Sequence, residues 1–198
     1  MPPIVLFDTE FTAWPGSRER NWRGPGEHRE VIQLAALKID YISEGIQIEQ
    51  SFNELVCPAI NPTLSDYIVD LTGITQHALE NHGVDYASAL KAFHQFTEQG
   101  QLRCFCWGKD DEVLMENARL LSLPQPEFGG GFENLMDVFN RAGIAVNDVC
   151  SGDLHKVFQL PLKGEAHNAL HDVRSMAVSL EHILAQGLLD WSELTQTR

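Results

Sequence analysis

Asp8-Thr9-Glu10 closes the first apolar run of the chain, Ile4-Val5-Leu6-Phe7. In an extended strand residues i and i+2 point the same way, roughly 6.5–7 Å apart. Asp8 and Glu10 would therefore emerge together at the hydrophobic edge of a sheet. Two carboxylates placed there are costly unless a cation neutralises them; lying past the strand end, in water, they would be ordinary. A second acidic group, in Trp107-Gly108-Lys109-Asp110-Asp111-Glu112, follows another apolar run where a helix begins. Acids at that position also serve the helix dipole. The third segment, His167-Asn168-Ala169-Leu170-His171-Asp172, opens the last helix. Taken alone it reads as a surface helix start. Taken together, three acidic segments each end at the edge of an apolar element. Four carboxylates suit two divalent ions about 3.5–4 Å apart. Mg²⁺ prefers such oxygen ligands, and histidine is the side chain suited to accept a proton near neutral pH.

The elements that must position these groups follow from the hydrophobic pattern. Ile4–Phe7 reads as a buried strand. Val31 to Tyr41 and Ile46 to Val56 read as two strands joined in a hairpin at Ser43-Glu44-Gly45. Short helices are expected near 65–71 and 75–80, and Asp85 is placed to cap a helix over 86–98, with Gly100 past its end. Leu102 to Trp107 reads as a strand and 110–121 as a helix stopped before Pro124. Gly129-Gly130-Gly131 reads as a flexible joint, and residues 134–160 as one short strand and two short helices. In the last helix Leu170, Val173, Ala177, Leu180 and Leu184 recur at three-and-four spacing, and Ala169 is small enough to allow close approach to a sheet. This order predicts an α/β protein, a mixed sheet with helices packed on its faces, as one domain over residues 1–198.

Composition narrows the function classes. The formal charge is −14, which argues against a broad basic surface for duplex DNA. It is compatible with phosphate held through metal ions seated on acids. No run approaches the roughly 18 apolar residues of a membrane span. The start, Met1-Pro2-Pro3-Ile4, lacks a basic leader, and the expected compartment is the cytoplasm. Cys57, Cys104, Cys106 and Cys150 offer no second spaced pair for zinc; Cys104 and Cys106 alternate on one strand face.

Asp-x-Glu, a later Asp, and His-x-Ala-x-x-Asp resemble the three exonuclease motifs of the DEDDh (DnaQ-like) 3′→5′ exonucleases, which have the ribonuclease H-like fold. The likeness runs from residue 4 to about 186. It includes Phe7-Asp8-Thr9-Glu10-Phe11, the strand from Glu30 to Ile39, Leu71-Thr72-Gly73-Ile74-Thr75 and His167 to Asp172. Trp14, Trp22 and Gly26-Glu27-His28-Arg29-Glu30 look like the Eri1/KapD-type branch. The resemblance implies that Asp8, Glu10, Asp110 and Asp172 bind two Mg²⁺ or Mn²⁺ ions and that His167 is the general base. Leu71, Thr72 and Gly73 would flank the terminal nucleotide, and Phe11 would pack beside it. The family's middle Asp precedes an apolar pair at +3 and +4. Asp110 meets this with Val113 and Leu114, and Asp111 nearly as well with Leu114 and Met115; Asp110 is preferred. The implied partner is a nucleic acid, RNA or DNA, with a free and single-stranded 3′ end, from which nucleoside 5′-monophosphates are released. A non-catalytic binding or docking module of the same fold is the alternative, and a phosphodiesterase of small nucleotides a third reading.

Two further features are open in the sequence. Residues 14–29 carry Arg18, Arg20, Arg23 and Arg29 with Trp14 and Trp22. Such a set can grip a single strand, or be a solvated loop whose tryptophans cover the sheet edge. His171 is expected to be exposed, and His77, His82, His94, His155 and His182 to be surface or half-buried residues, since none has metal-ligand spacing with acids.

Overall fold

The computed structural model describes residues 2–196. Met1, in the leader reading above, and Thr197 and Arg198, in the domain reading, lie outside the described residues. The chain runs β1 (Ile4–Phe11), β2 (Val31–Ile42), β3 (Gly45–Cys57), α1 (Asp66–Thr72), α2 (Gln76–His82), β4 (Val84–Asp85), α3 (Tyr86–Phe96) and β5 (Cys104–Cys106). It continues with α4 (Asp110–Leu120), β6 (Phe132–Asn134), α5 (Leu135–Arg141), a 3₁₀ turn (Ser151–Asp153), α6 (Leu154–Val157), α7 (Ala169–Ala185) and α8 (Trp191–Thr195). The expected hairpin spans β2 and β3, and Asp85 caps α3 by accepting from the Ser88 N–H at 2.9 Å. The fifth strand is shorter than the apolar run Leu102–Trp107 predicts, because Leu102 N–H is drawn to Thr97 O instead.

The six strands lie in the order β4-β3-β2-β1-β5-β6. β1, β2 and β3 are antiparallel neighbours, while β5 and β6 run parallel to β1. Alternation along β1 divides the core. Ile4 and Leu6 pack with Phe105, Val173, Met176 and Leu180 on the α7 side. Val5 and Phe7 pack with Leu90, Phe93, Val113 and Leu114 on the side of α3 and α4. Helices therefore cover both faces. The parity of β1 carries on past Leu6, so Asp8 and Glu10 point to the α7 side and Thr9 to the other.

α7 is the element on which the site depends. Asn168 caps it, its Oδ1 accepting from His171 N–H at 3.2 Å, and Ala169 is fully buried at its first turn. Buried residues occur on more than one side of this helix: Val173, Met176 and Leu180 belong to the sheet core, and Ser175 meets His155 across from α6. That second cover explains two departures from the sequence reading. His171 is 6% exposed and His155 is 5% exposed, rather than surface residues. His171 is enclosed by the 3₁₀ turn and by Gly164, where a Cβ would stand 2.4 Å from the His171 Nδ1. Gly129-Gly130-Gly131 is also tighter than a flexible joint. Gly130 N–H donates to Gly100 O at 2.8 Å, and a Cβ on Gly130 would meet Leu102 O at 2.3 Å.

Truncation of a core residue on α7 tests how far the fold rests on this helix. Leu180→Ala should destabilise the protein by about 2–5 kcal/mol. The measurement is the urea midpoint, which should fall while the slope of the transition stays unchanged.

Candidate active site

Three segments meet at the carboxyl end of β1. The strand supplies Asp8 and Glu10; the start of α4, directly beyond β5, supplies Asp110; the first turn of α7 supplies Asp172. All four are buried, at 5%, 8%, 7% and 4% exposure. One carboxylate oxygen each of Asp8, Glu10 and Asp172 lies within 4.8 Å of the others. Asp110 stands beside this trio and is held from the other face of β1. Its Oδ1 accepts from the Thr9 backbone N–H at 3.1 Å and from the Thr9 hydroxyl. The residue between the two strand acids thus fixes the third. Asp111 is half-buried, and the cleft contains Asp110 and not Asp111. Val113 and Leu114, three and four residues on, are both buried and lock that register.

Like charges out of water raise one another's proton affinity. Burial above all, then the charges of Asp110, Asp172 and Glu10, pushes Asp8 well above the usual carboxylate range, against a hydrogen bond from Ser151. Glu10 is raised by burial and by Asp172 and Asp110. Burial pushes Asp110 up to about 7 in spite of its bonds from Thr9. Asp172 is raised by burial too, opposed by Ser151 and by the two nearby histidines, His171 and His167. Among the described residues, none of the four acids takes part in a salt bridge, and Asp172 Oδ1 is buried without a hydrogen-bond partner. An all-oxygen donor set with an unpartnered oxygen and no cationic side chain to neutralise it fits hard divalent cations.

The trio lies in a cleft of about 1020 Å³ whose walls include Phe11, Arg18, Trp107, Lys109, Ser151 and His167. His167 is half-buried and has a left-handed backbone, φ 66°, a conformation uncommon outside glycine and characteristic of sites where surroundings over-determine the chain. Phe11 meets Trp22 edge-on at 5.3 Å, and Trp22 Nε1–H donates to Thr12 O at 2.9 Å. This tryptophan therefore covers the end of the strand, one of the two uses open in the sequence. Leu71, Thr72 and Gly73 lie elsewhere. They line a neighbouring groove of about 400 Å³ with Lys163, Asn168 and Arg174. The Thr72 hydroxyl donates to Ile68 O at 2.8 Å, and Gly73 closes α1 with φ 72°. Sequence reasoning passed over Thr9 and Ser151. The Ser151 hydroxyl donates to Asp172 Oδ2 at 2.9 Å, and neither residue carries a spacing signal that could have singled it out.

A mixed sheet covered on both faces, with a buried acidic centre at its strand ends, defines an α/β fold whose candidate site lies at the carboxyl end of β1. Comparison with known proteins agrees: the chain superposes on the nuclease domain of 3′hExo, a DEDDh family member bound to rAMP, with a TM-score of 0.76 at 22% identity, over 94% of this chain and 93% of that one. The fold is the ribonuclease H-like exonuclease fold. The model of the exonuclease family (RNase T) matches residues 5–178, and the chain belongs to that family. It is 27% identical over 173 residues to the 3′-5′ exonuclease crn-4 of Caenorhabditis elegans, covering 80% of this chain and 57% of that protein. It is 38% identical over 73 residues to the 3′-5′ exonuclease eri1 of Schizosaccharomyces pombe, covering 37% of this chain and 22% of that one. The chain thus spans little more than half of the first of these relatives and less of the second. Among the described residues no helix is long and apolar enough to cross a membrane.

The electrostatics predict a sign. A carboxylate whose pKa is raised on folding binds more protons folded than unfolded, so stability falls as pH rises. For Asp110 that loss runs from about 4, the unfolded value, to about 7. Metal-free protein should therefore lose thermal stability across this window, and Asp8→Asn should melt higher than wild type at pH 7.5. Mn²⁺ should raise the melting temperature of wild type and do so far less for Asp8→Asn. Differential scanning calorimetry with and without EDTA measures both. Asp110→Ala should also cost much more nuclease activity than Asp111→Ala.

Proposed function

We propose that this protein is a metal-dependent 3′→5′ exonuclease that removes nucleoside 5′-monophosphates from a free, single-stranded 3′ end of RNA or DNA. The observation that carries the reading is the buried cluster of Asp8, Glu10 and Asp172 with Asp110 beside it and His167 on the same cleft. A non-catalytic binder has no use for four buried carboxylates that raise one another's proton affinity. Asp8, Glu10, Asp110 and Asp172 would hold two divalent cations, Mg²⁺ or Mn²⁺. Bound there, such cations supply charge neutralisation at a phosphodiester and lower the pKa of water.

The chain's own residues supply the rest. An imidazole nitrogen of His167 accepts the proton of the attacking water, on the open side of the cleft. Ser151 and Thr9 keep Asp172 and Asp110 from turning away, since each spends a hydrogen bond on one carboxylate oxygen. Phe11, fixed by Trp22, packs beside the terminal nucleotide, and Leu71, Thr72 and Gly73 flank it from the neighbouring groove. A net charge of −14 provides few phosphate contacts along a duplex, which favours an unpaired end. The four cysteines are free, in keeping with a reducing, cytoplasmic setting. Residues 1–198 would act as one exonuclease unit.

The test uses 5′-labelled RNA and DNA oligonucleotides with Mg²⁺, Mn²⁺ or EDTA. A ladder shortening from the 3′ end, abolished by EDTA, is expected. Retarded but intact oligonucleotide would make the protein a binder, and cleavage of dinucleotides alone would make it a phosphodiesterase of small substrates. His167→Ala should slow turnover by roughly 10²–10⁴-fold and regain part of the loss at high pH, where hydroxide needs no base.

A further inference from the structure

Gln33 has an uncommon position. It is 3% exposed on β2, and in the register of the sheet it is the residue directly opposite Glu10. Antiparallel partners share a face, so its side chain stands on the α7 side, next to the acidic cluster. There it spans two elements. Its Oε1 accepts from Ala169 N–H, the first residue of α7, at 3.0 Å. Its Nε2 donates to Asn53 Oδ1 on β3 at 2.9 Å. The second bond sets the orientation of the first, because an amide turned over would present its NH₂ to the helix N–H.

The donors at the start of α7 show what this contact adds. Asn168 serves His171 N–H with its side chain and Asp172 N–H with its carbonyl. Both of those bonds are internal to the helix start and leave its height above the sheet undetermined. The bond from Ala169 to Gln33 ties that start to the strand that faces Glu10. His167 lies two residues before Ala169 and Asp172 three after it. A glutamate at position 33 could also accept from Ala169, but it would add a fifth negative charge to the cluster. Glutamine offers the acceptor without the charge.

We propose that Gln33 is a positioning residue: its neutral amide docks the first turn of α7 on the sheet opposite Glu10, and so sets the spacing of Asp172 and His167 from the strand acids. The proposal rests on the exonuclease reading for its kinetic consequence and on the geometry alone for its metal-binding consequence. Supporting contacts of this kind typically change metal affinity or activity by about 10–100-fold.

Three variants test it. Gln33→Leu removes both bonds. Gln33→Glu keeps an acceptor but loses the donor to Asn53 and adds charge. Asn53→Ala, at an exposed strand position, frees the amide while leaving Gln33 in place. Asn117→Ala is the control for stability alone: it breaks an equally buried amide, which accepts from Val31 N–H at 3.0 Å and donates to Arg29 O at 2.7 Å. Titration calorimetry with Mn²⁺ is run well below each melting temperature, and kcat and KM are measured on a short single-stranded oligonucleotide. Gln33→Leu and Gln33→Glu should each weaken Mn²⁺ binding and lower kcat by about 10-fold or more, with KM within about threefold. Asn53→Ala should move both in the same direction by less, and Asn117→Ala should lower the melting temperature without moving either. The proposal is overturned if Gln33→Leu binds Mn²⁺ as wild type does, or if its losses match those of Asn117→Ala. If wild type shortens no oligonucleotide, the functional reading fails, and the Mn²⁺ arm still decides the role of Gln33.

Discussion

Four carboxylates brought together out of water repel one another, and the rest of this structure is arranged to hold them there. Each of the three contributing segments is anchored by apolar packing that has nothing to do with charge: Leu6 and Phe7 before the strand acids, Val113 and Leu114 after Asp110, Val173 and Met176 after Asp172. The repulsion is therefore met by the core, and what remains is a buried acidic cluster with raised proton affinity and an oxygen donor set of the kind hard divalent cations take. A trade of stability for function of this sort is expected where chemistry is done.

The hydrogen bonds around the acids are few and specific. Thr9 restrains Asp110 from β1, Ser151 restrains Asp172 from the 3₁₀ turn, and Gln33 ties α7 to β2. Thr9 and Ser151 each bind a single carboxylate oxygen and leave other oxygens of the cluster open, as Asp172 Oδ1 is. Fully satisfied carboxylates would make a more stable protein with nothing left to offer a metal ion. The histidine is treated differently. His167 has a left-handed backbone and stands half-buried at the wall of the cleft.

Much of this was legible in the sequence, for local reasons. The alternation of β1, the hairpin at Ser43-Glu44-Gly45, the Asp85 cap and the spacing along α7 are all signals within ten or so residues. The preference for Asp110 over Asp111 is a local signal of the same kind, resting on Val113 and Leu114, and in the structure it is Asp110 that lines the cleft. What the sequence did not carry is tertiary. β4 is a two-residue strand formed only by pairing with β3, and α8 closes over Tyr41 through Trp191. His171 is expected to be exposed because its neighbours in the sequence give it no role; a second layer, the turn at Gly152 and the loop at Gly164, buries it. Gly130 reads as freedom in one dimension and as close backbone contact in three. The placement of Leu71, Thr72 and Gly73 in a groove beside the acidic cleft also depends on how α1 packs, which no spacing rule describes.

The bond between Thr9 and Asp110 joins residues 101 apart in sequence, and Asp172 lies further on still. A chain emerging from the ribosome carries its first two acids almost at once, yet the cluster has no existence until α7 has been made and docked. Folding intermediates that contain only the first strands hold the Asp8 and Glu10 pair alone, without the larger repulsion from Asp110 and Asp172. Long-range contacts of this kind form late. In a growing chain of this protein the fourfold acidic centre is therefore completed only when α7 docks.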